Sequence, residues 1–134
     1  MSIGIVSSLR NDRLQLVVDK LDAGSTGAEI RLYGGLRPST AGLTTSLIGT
    51  CTCSKPAGTI SNGVFTLSSI TGDVSADSTG TITWARFVDS DGLFVMDINC
   101  GETGGSEELL FNTTDVIVGG LINVTSFSIT EGGA

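Results

Sequence analysis

From Ile30 onward the chain follows a two-residue period, in short apolar–polar alternations that break about every ten residues at a glycine, asparagine or aspartate. Ile30 and Leu32 alternate with Arg31 and Tyr33 before Gly34-Gly35. A loop from Pro38 through Gly42 then leads into a strand over Leu47–Cys53. Asn62-Gly63 matches a type I′ turn, whose two central residues both need positive φ, and Val64–Ile70 reads as the strand that follows. Thr81–Val88 and Leu93–Asn99 form a hairpin around Asp89-Ser90-Asp91-Gly92, with Ile82, Trp84 and Val88 expected on one face of the first strand and Phe94, Met96, Ile98 and Cys100 on one face of the second. Glu107–Asn112 and Val116–Val118 are shorter runs. In Leu121–Glu131 the pairs Ile122/Val124 and Phe127/Ile129 are out of phase, so the strand needs a bulge or a crossing near Thr125 and Ser126. About eight such strands predict an all-β fold, an antiparallel two-sheet sandwich of jelly-roll type.

One segment departs from that period. Leu14, Val17, Val18 and Leu21 fall on a single helical stripe, with Ser8 as the expected N-cap and Gly24 just past the end. Leu9 and Leu16, seven residues apart, lie on a second face, so the helix carries more apolar surface than one packing contact consumes. The expected organisation is an N-terminal arm and helix over 1–24 and a sandwich over 25–134, together one domain.

Composition removes several functions. The 134 residues contain no histidine, which excludes Ser-His-Asp and Cys-His catalysis and imidazole metal sites. A net charge of -7 argues against nucleic acid as a partner, because phosphate binding needs clustered Lys and Arg. The charge is uneven: six basic and four acidic residues up to Lys55, then one basic and ten acidic. No run reaches the length of a membrane span, and Met1 to Leu9 lacks the pattern of a signal peptide, so the expectation is a chain made in the cytoplasm without a membrane partner. Cys51, Cys53 and Cys100 lack zinc spacing and read as buried free thiols, with a disulfide the lesser alternative. Asp89-Ser90-Asp91-Gly92 begins like a calcium loop, but Ile98 stands where the bidentate Glu is needed, so a turn is the expected role. Glu107-Glu108 and Asp97 read as surface carboxylates rather than a hydrolytic pair, and Trp84 with Tyr33 as packing rather than a sugar platform. No catalytic residue, metal ligand or cofactor site is expected, and the chain is read as a non-enzyme.

Taken in order, the motifs resemble the small virion proteins of capsid decoration or cement type encoded by tailed bacteriophages. The resemblance runs along almost the whole chain. It covers Leu9-Arg10-Asn11 through Leu21-Asp22-Ala23-Gly24, Ile30-Arg31-Leu32-Tyr33-Gly34 with Arg37-Pro38, Gly63-Val64-Phe65-Thr66, and Asp77-Ser78-Thr79-Gly80-Thr81-Ile82-Thr83-Trp84-Ala85-Arg86. Asp89-Ser90-Asp91-Gly92, Asn112-Thr113-Thr114 and the ending Thr125-Ser126-Phe127-Ser128-Ile129-Thr130-Glu131-Gly132 complete it. The three cysteines lie outside the pattern. The resemblance implies a jelly-roll module on the outer surface of the virion head, binding across junctions of the major capsid protein and stabilising the shell, with the chain itself as a homodimer or homotrimer. Leu9, Arg10, Arg13, Leu16 and Arg37, apolar or cationic and left over once the core stripe is assigned, are the candidate interface to capsid or sister subunit. The alternative is a tail- or fibre-associated jelly-roll adhesin that binds a host-surface glycan through its loops.

Overall fold

The computed structural model describes residues 4–130. Among these residues the chain is mostly β, with one helix, α1 (Ser7–Leu21). Its strands are β1 (Glu29–Tyr33), β2 (Leu47–Cys53), β3 (Gly58–Ser61), β4 (Val64–Leu67), β5 (Ile70–Thr71), β6 (Gly80–Thr81), β7 (Trp84–Val88), β8 (Phe94–Glu102), β9 (Leu109–Phe111), β10 (Asp115–Val116) and β11 (Val124–Thr130). Nine of them form one sheet in the order β3-β4-β11-β9-β8-β7-β1-β2-β5, and β6 pairs with β10 beside it. The sheet is mixed, because β8 and β9 run parallel while the other described pairs are antiparallel.

The connections force this sheet to curl. Seven strand spacings separate β4 from β5 in the sheet order, about 34 Å if it were flat. Yet only Ser68 and Ser69 join the two strands, a link that reaches at most about 11 Å. The two ends of the sheet therefore come round to meet. Asp73 and Ile122 hydrogen-bond through both main chains at that seam, at 3.0 and 2.8 Å, and tie the end of β5 to the approach to β11. Gly72 makes the approach possible: a β-carbon there would run into the Ile122 carbonyl.

The concave face holds the core. Alternation along the paired strands puts Ile30 and Leu32 of β1, Ala85 and Phe87 of β7, Ile98 and Cys100 of β8 and Cys51 of β2 on this one side. Phe65, Leu109, Phe111, Ile122 and Phe127 join them. Leu14, Val18 and Leu21 of α1 pack into the same cluster, with the helix lying against β3, β4 and β8. The helix begins one residue earlier than its expected N-cap. Val6 occupies the cap without a side-chain hydrogen bond, Ser8 lies inside the first turn, and Asp22 rather than Gly24 closes the C-terminus.

Two sequence features appear as expected. Asn62 and Gly63 have φ of 50° and 76° and join β3 to β4, and Asn11 of α1 accepts a hydrogen bond from the Gly63 amide at 2.8 Å. The register of β11 against β9 shifts between Val124 and Ser126, which brings Phe127 and Ile129 to the same side as Ile122 and Val124.

Candidate functional site: two surfaces on opposite faces of the sheet

The convex face of β1, β7 and β8 carries Tyr33, Trp84, Arg86 and Asp97, a second buried cluster separate from the core. This corrects the expected pattern in which Trp84 shares a face with Ile82. Ile82 belongs to the concave core, and the phase slips at Ile82-Thr83, where the chain passes from β6 to β7. The amides of those two residues are held by the Thr114 and Tyr33 carbonyls. Trp84 stacks on Tyr33 at 4.5 Å and 17°, and neither ring faces solvent, so the pair packs inward and offers no platform to a sugar.

Arg86 and Asp97 form the polar centre of this cluster. The guanidinium donates through Nε to Asp97 Oδ1 at 2.8 Å and through a terminal nitrogen to Oδ2 at 3.0 Å, a two-pronged pair. It lies 5.4 Å from the Trp84 ring centre and 5.2 Å from that of Phe94. The side chains are 12% and 2% exposed. The hydrogen bonds to Asp97 raise the Arg86 pKa above its ordinary value, so the pair stays charged. Asp97, expected as a surface carboxylate, is thus buried and neutralised. Glu107, also expected at the surface, is half-buried beside Gly101.

The pair also fastens the loop between β1 and β2, residues 34–46. Arg86 donates to the Gly42 carbonyl at 2.9 Å, Asp97 accepts from the Ala41 amide at 3.2 Å, and Arg37 donates to the Asp97 carbonyl at 3.4 Å. Trp84 donates its indole N–H to the Thr45 hydroxyl at 3.0 Å, and Thr45 in turn bonds to Gly34. A loop of this length is usually mobile. Here it is strapped to the sheet by polar groups underneath, and it points Leu36 and Leu43 outward at 90% and 93% exposure.

The five candidate interface residues divide between two places. Leu9 and Leu16 are exposed on the outer side of α1 at 48% and 66%, with Arg13 exposed between them. Arg10 lies apart from that stripe: its guanidinium packs over Gly63, it is half-buried, and its buried Nε has no hydrogen-bond acceptor among the described residues. Arg37 is on the strap, across the sheet from α1. Leu36 and Leu43, exposed on the same strap as Arg37, were not among the residues expected at an interface. A pair of leucines inside a Ser/Thr/Gly-rich loop was the available signal.

Asp89 is 4% exposed and spends Oδ1 on the amides of Asp91 and Leu93, both at 2.9 Å, closing the β7–β8 turn. Among the described residues no three His, Cys, Asp or Glu side chains are grouped so as to hold a metal ion. Cys51, Cys53 and Cys100 are buried free thiols. Burial pushes Cys51 from 9.0 up to about 11 and Cys53 to about 12, the latter also raised by Cys51 and Asp22, and it raises Cys100 in the same direction. The folded state therefore keeps protons that the unfolded chain releases near pH 9. The stability this contributes is complete below pH 9 and is lost as pH climbs towards 11 and 12, by roughly 1 kcal/mol per pH unit for each thiol. Denaturant midpoints at pH 8, 9 and 10 should fall accordingly, and a thiol reagent at pH 8 should label the unfolded protein at three sites and leave the native protein almost unlabelled.

Comparisons with protein-family models, with curated proteins and with solved structures find no match.

Proposed function

We propose that this protein is a non-enzymatic capsid decoration protein of a tailed bacteriophage, bound to the outside of the assembled head across junctions of the major capsid protein. The curled sheet then serves as a jelly-roll-type sandwich. The single observation that carries the reading is the pair of rigid, apolar-plus-cationic surfaces on opposite faces of one sheet, the α1 stripe and the 34–46 strap. A module with two such faces joins two bodies, which is the task of a cement.

The strap is the surface suited to the shell. Its leucines are held in place before binding, so little conformational entropy is lost on docking, and Arg37 adds one positive charge beside them. The acidic second half of the chain keeps neighbouring copies apart except where apolar contact draws them together. Binding across many equivalent positions sums weak single contacts into high occupancy.

The test is co-sedimentation with purified heads that lack the protein. Arg37→Glu combined with Leu43→Asp should lower occupancy at least about tenfold, the loss of roughly one anchor residue. The melting temperature should change little, because both side chains are exposed and Arg37 adds only one long, solvent-exposed bond to a strap that Arg86, Asp97 and Trp84 hold from beneath. Full occupancy by this variant would remove the strap from the shell contact, and failure of the parent protein to bind heads would remove the decoration role.

A further inference from the structure

The chain contains five asparagines, and Asn62 alone precedes a glycine. That dipeptide is the reactive one, because the glycine nitrogen can attack the asparagine side chain with no Cβ in the way. The turn presents its two residues unequally. Asn62 is exposed at φ 50°, whereas Gly63 is buried at φ 76°. The Gly63 N–H donates to Asn11 Oδ1 of α1 at 2.8 Å, and the Arg10 guanidinium lies over the same residue. The nitrogen that would react is therefore covered and hydrogen-bonded, and both covers come from α1.

The end of α1 that supplies them is the weakly held one. Val6 caps it without a side-chain hydrogen bond, and its first turn contains no acidic residue. Leu14 is the first side chain of the helix to be buried in the core. The turns before it can therefore leave the sheet while Val18 and Leu21 stay in place, a local opening that needs far less than global unfolding. Such an opening uncovers the Gly63 amide.

We infer that Asn62-Gly63 is a latent deamidation site, closed while α1 is docked and opened when the N-terminal turns of the helix lift. In the open state hydroxide removes the Gly63 amide proton, and the nitrogen bonds to Asn62 Cγ. The Cγ–Nδ2 bond breaks, the leaving nitrogen takes a proton from water and departs as ammonia, and a succinimide ring joins the two residues. Water then opens the ring at either carbonyl and leaves aspartate or β-linked isoaspartate in place of Asn62. Aspartate tolerates the turn conformation and adds a negative charge. Isoaspartate adds a methylene to the main chain of the turn, on which both the β3–β4 register and the Asn11 contact depend. A brief lift of α1 is thereby made permanent. The site belongs to this chain alone and stands apart from any shell partner.

Peptide mass spectrometry of protein aged in mildly alkaline buffer reads the replacement of ammonia by water at Asn62. The folded protein should deamidate at least about tenfold more slowly than the same chain in urea, since a hydrogen bond and burial must both be given up before reaction. Asn11→Ala should speed the folded protein about fivefold, the factor that one neutral hydrogen bond carries. Asn11→Asp keeps an acceptor opposite the Gly63 amide and should restore the slow rate. Phe127→Ala lowers overall stability without touching that contact, so it should speed the reaction less than Asn11→Ala does. A folded parent as fast as the chain in urea, or a folded Asn11→Ala protein as slow as the parent, would overturn the inference. So would a greater acceleration by Phe127→Ala than by Asn11→Ala, because the whole fold rather than α1 would then be what closes the site.

Discussion

Asp97→Ala should lower the unfolding free energy by about 3 to 5 kcal/mol, the cost of leaving a buried guanidinium without its carboxylate. For a chain of this size that is a fall in melting temperature of roughly 10 °C or more. The large effect follows from what Asp97 does. It neutralises Arg86 through two bonds and at the same time accepts the Ala41 amide, so one truncation strands a charge between Trp84 and Phe94 and releases the strap. The double variant Arg86→Met with Asp97→Leu separates the two consequences. It should recover most of the stability, since apolar replacement of a buried ion pair is often neutral. It should still leave residues 34–46 exchanging amide hydrogens quickly, because the anchors at Gly42 and Ala41 are gone. A loss below about 1 kcal/mol for Asp97→Ala would show that the pair is hydrated like a surface bridge.

Phe127→Ala should cost a similar amount, about 3 to 5 kcal/mol, for a different reason. Phe127 is 2% exposed and meets Phe87 at 5.1 Å and Phe65 edge-on at 6.1 Å. It sits in the strand that joins β4 on one side to β9 on the other, so the cavity opens where the curled sheet is stitched together. Ile129→Ala, two residues along and only partly buried, should cost clearly less. Urea melts of the two variants at equal protein concentration measure the difference. Equal losses would mean that the closing strand is held by its hydrogen bonds rather than by its aromatic anchor.

Local features of this fold were legible in the residues because their causes are local. The Asn62-Gly63 turn needs two residues tolerant of positive φ, and the phase change around Thr125 can only be absorbed by a bulge; both stand where the pattern placed them. The surplus stripe on α1 was visible as a seven-residue spacing of leucines. The long-range arrangement was not legible. Nothing in Phe94–Glu102 or Leu109–Phe111 marks them as parallel neighbours, since alternation looks the same in either direction. Trp84 was misplaced because two residues, Ile82 and Thr83, step between strands and reverse the phase. Arg86 and Asp97 are eleven residues apart on opposite arms of a hairpin, and only the register of β7 on β8 pairs them. The same register, with the strap above it, puts Arg37 across the sheet from Leu9 and Leu16. One expected patch is therefore two surfaces, and Arg10, counted in that patch, instead helps to seat the helix on the β3–β4 turn.

Imaging tests the central claim most directly: electron cryo-microscopy of the tailed-phage heads, with this gene present and with it deleted, reconstructed with the icosahedral symmetry of the shell. The account predicts density for a curled sheet on the outer surface over capsid-protein junctions, with the 34–46 strap towards the shell, and its complete loss in the deletion along with heads that release DNA at lower temperature. Identical shells in both particles, with density lost only at the tail or its fibres, would contradict it and bring the glycan-binding adhesin forward.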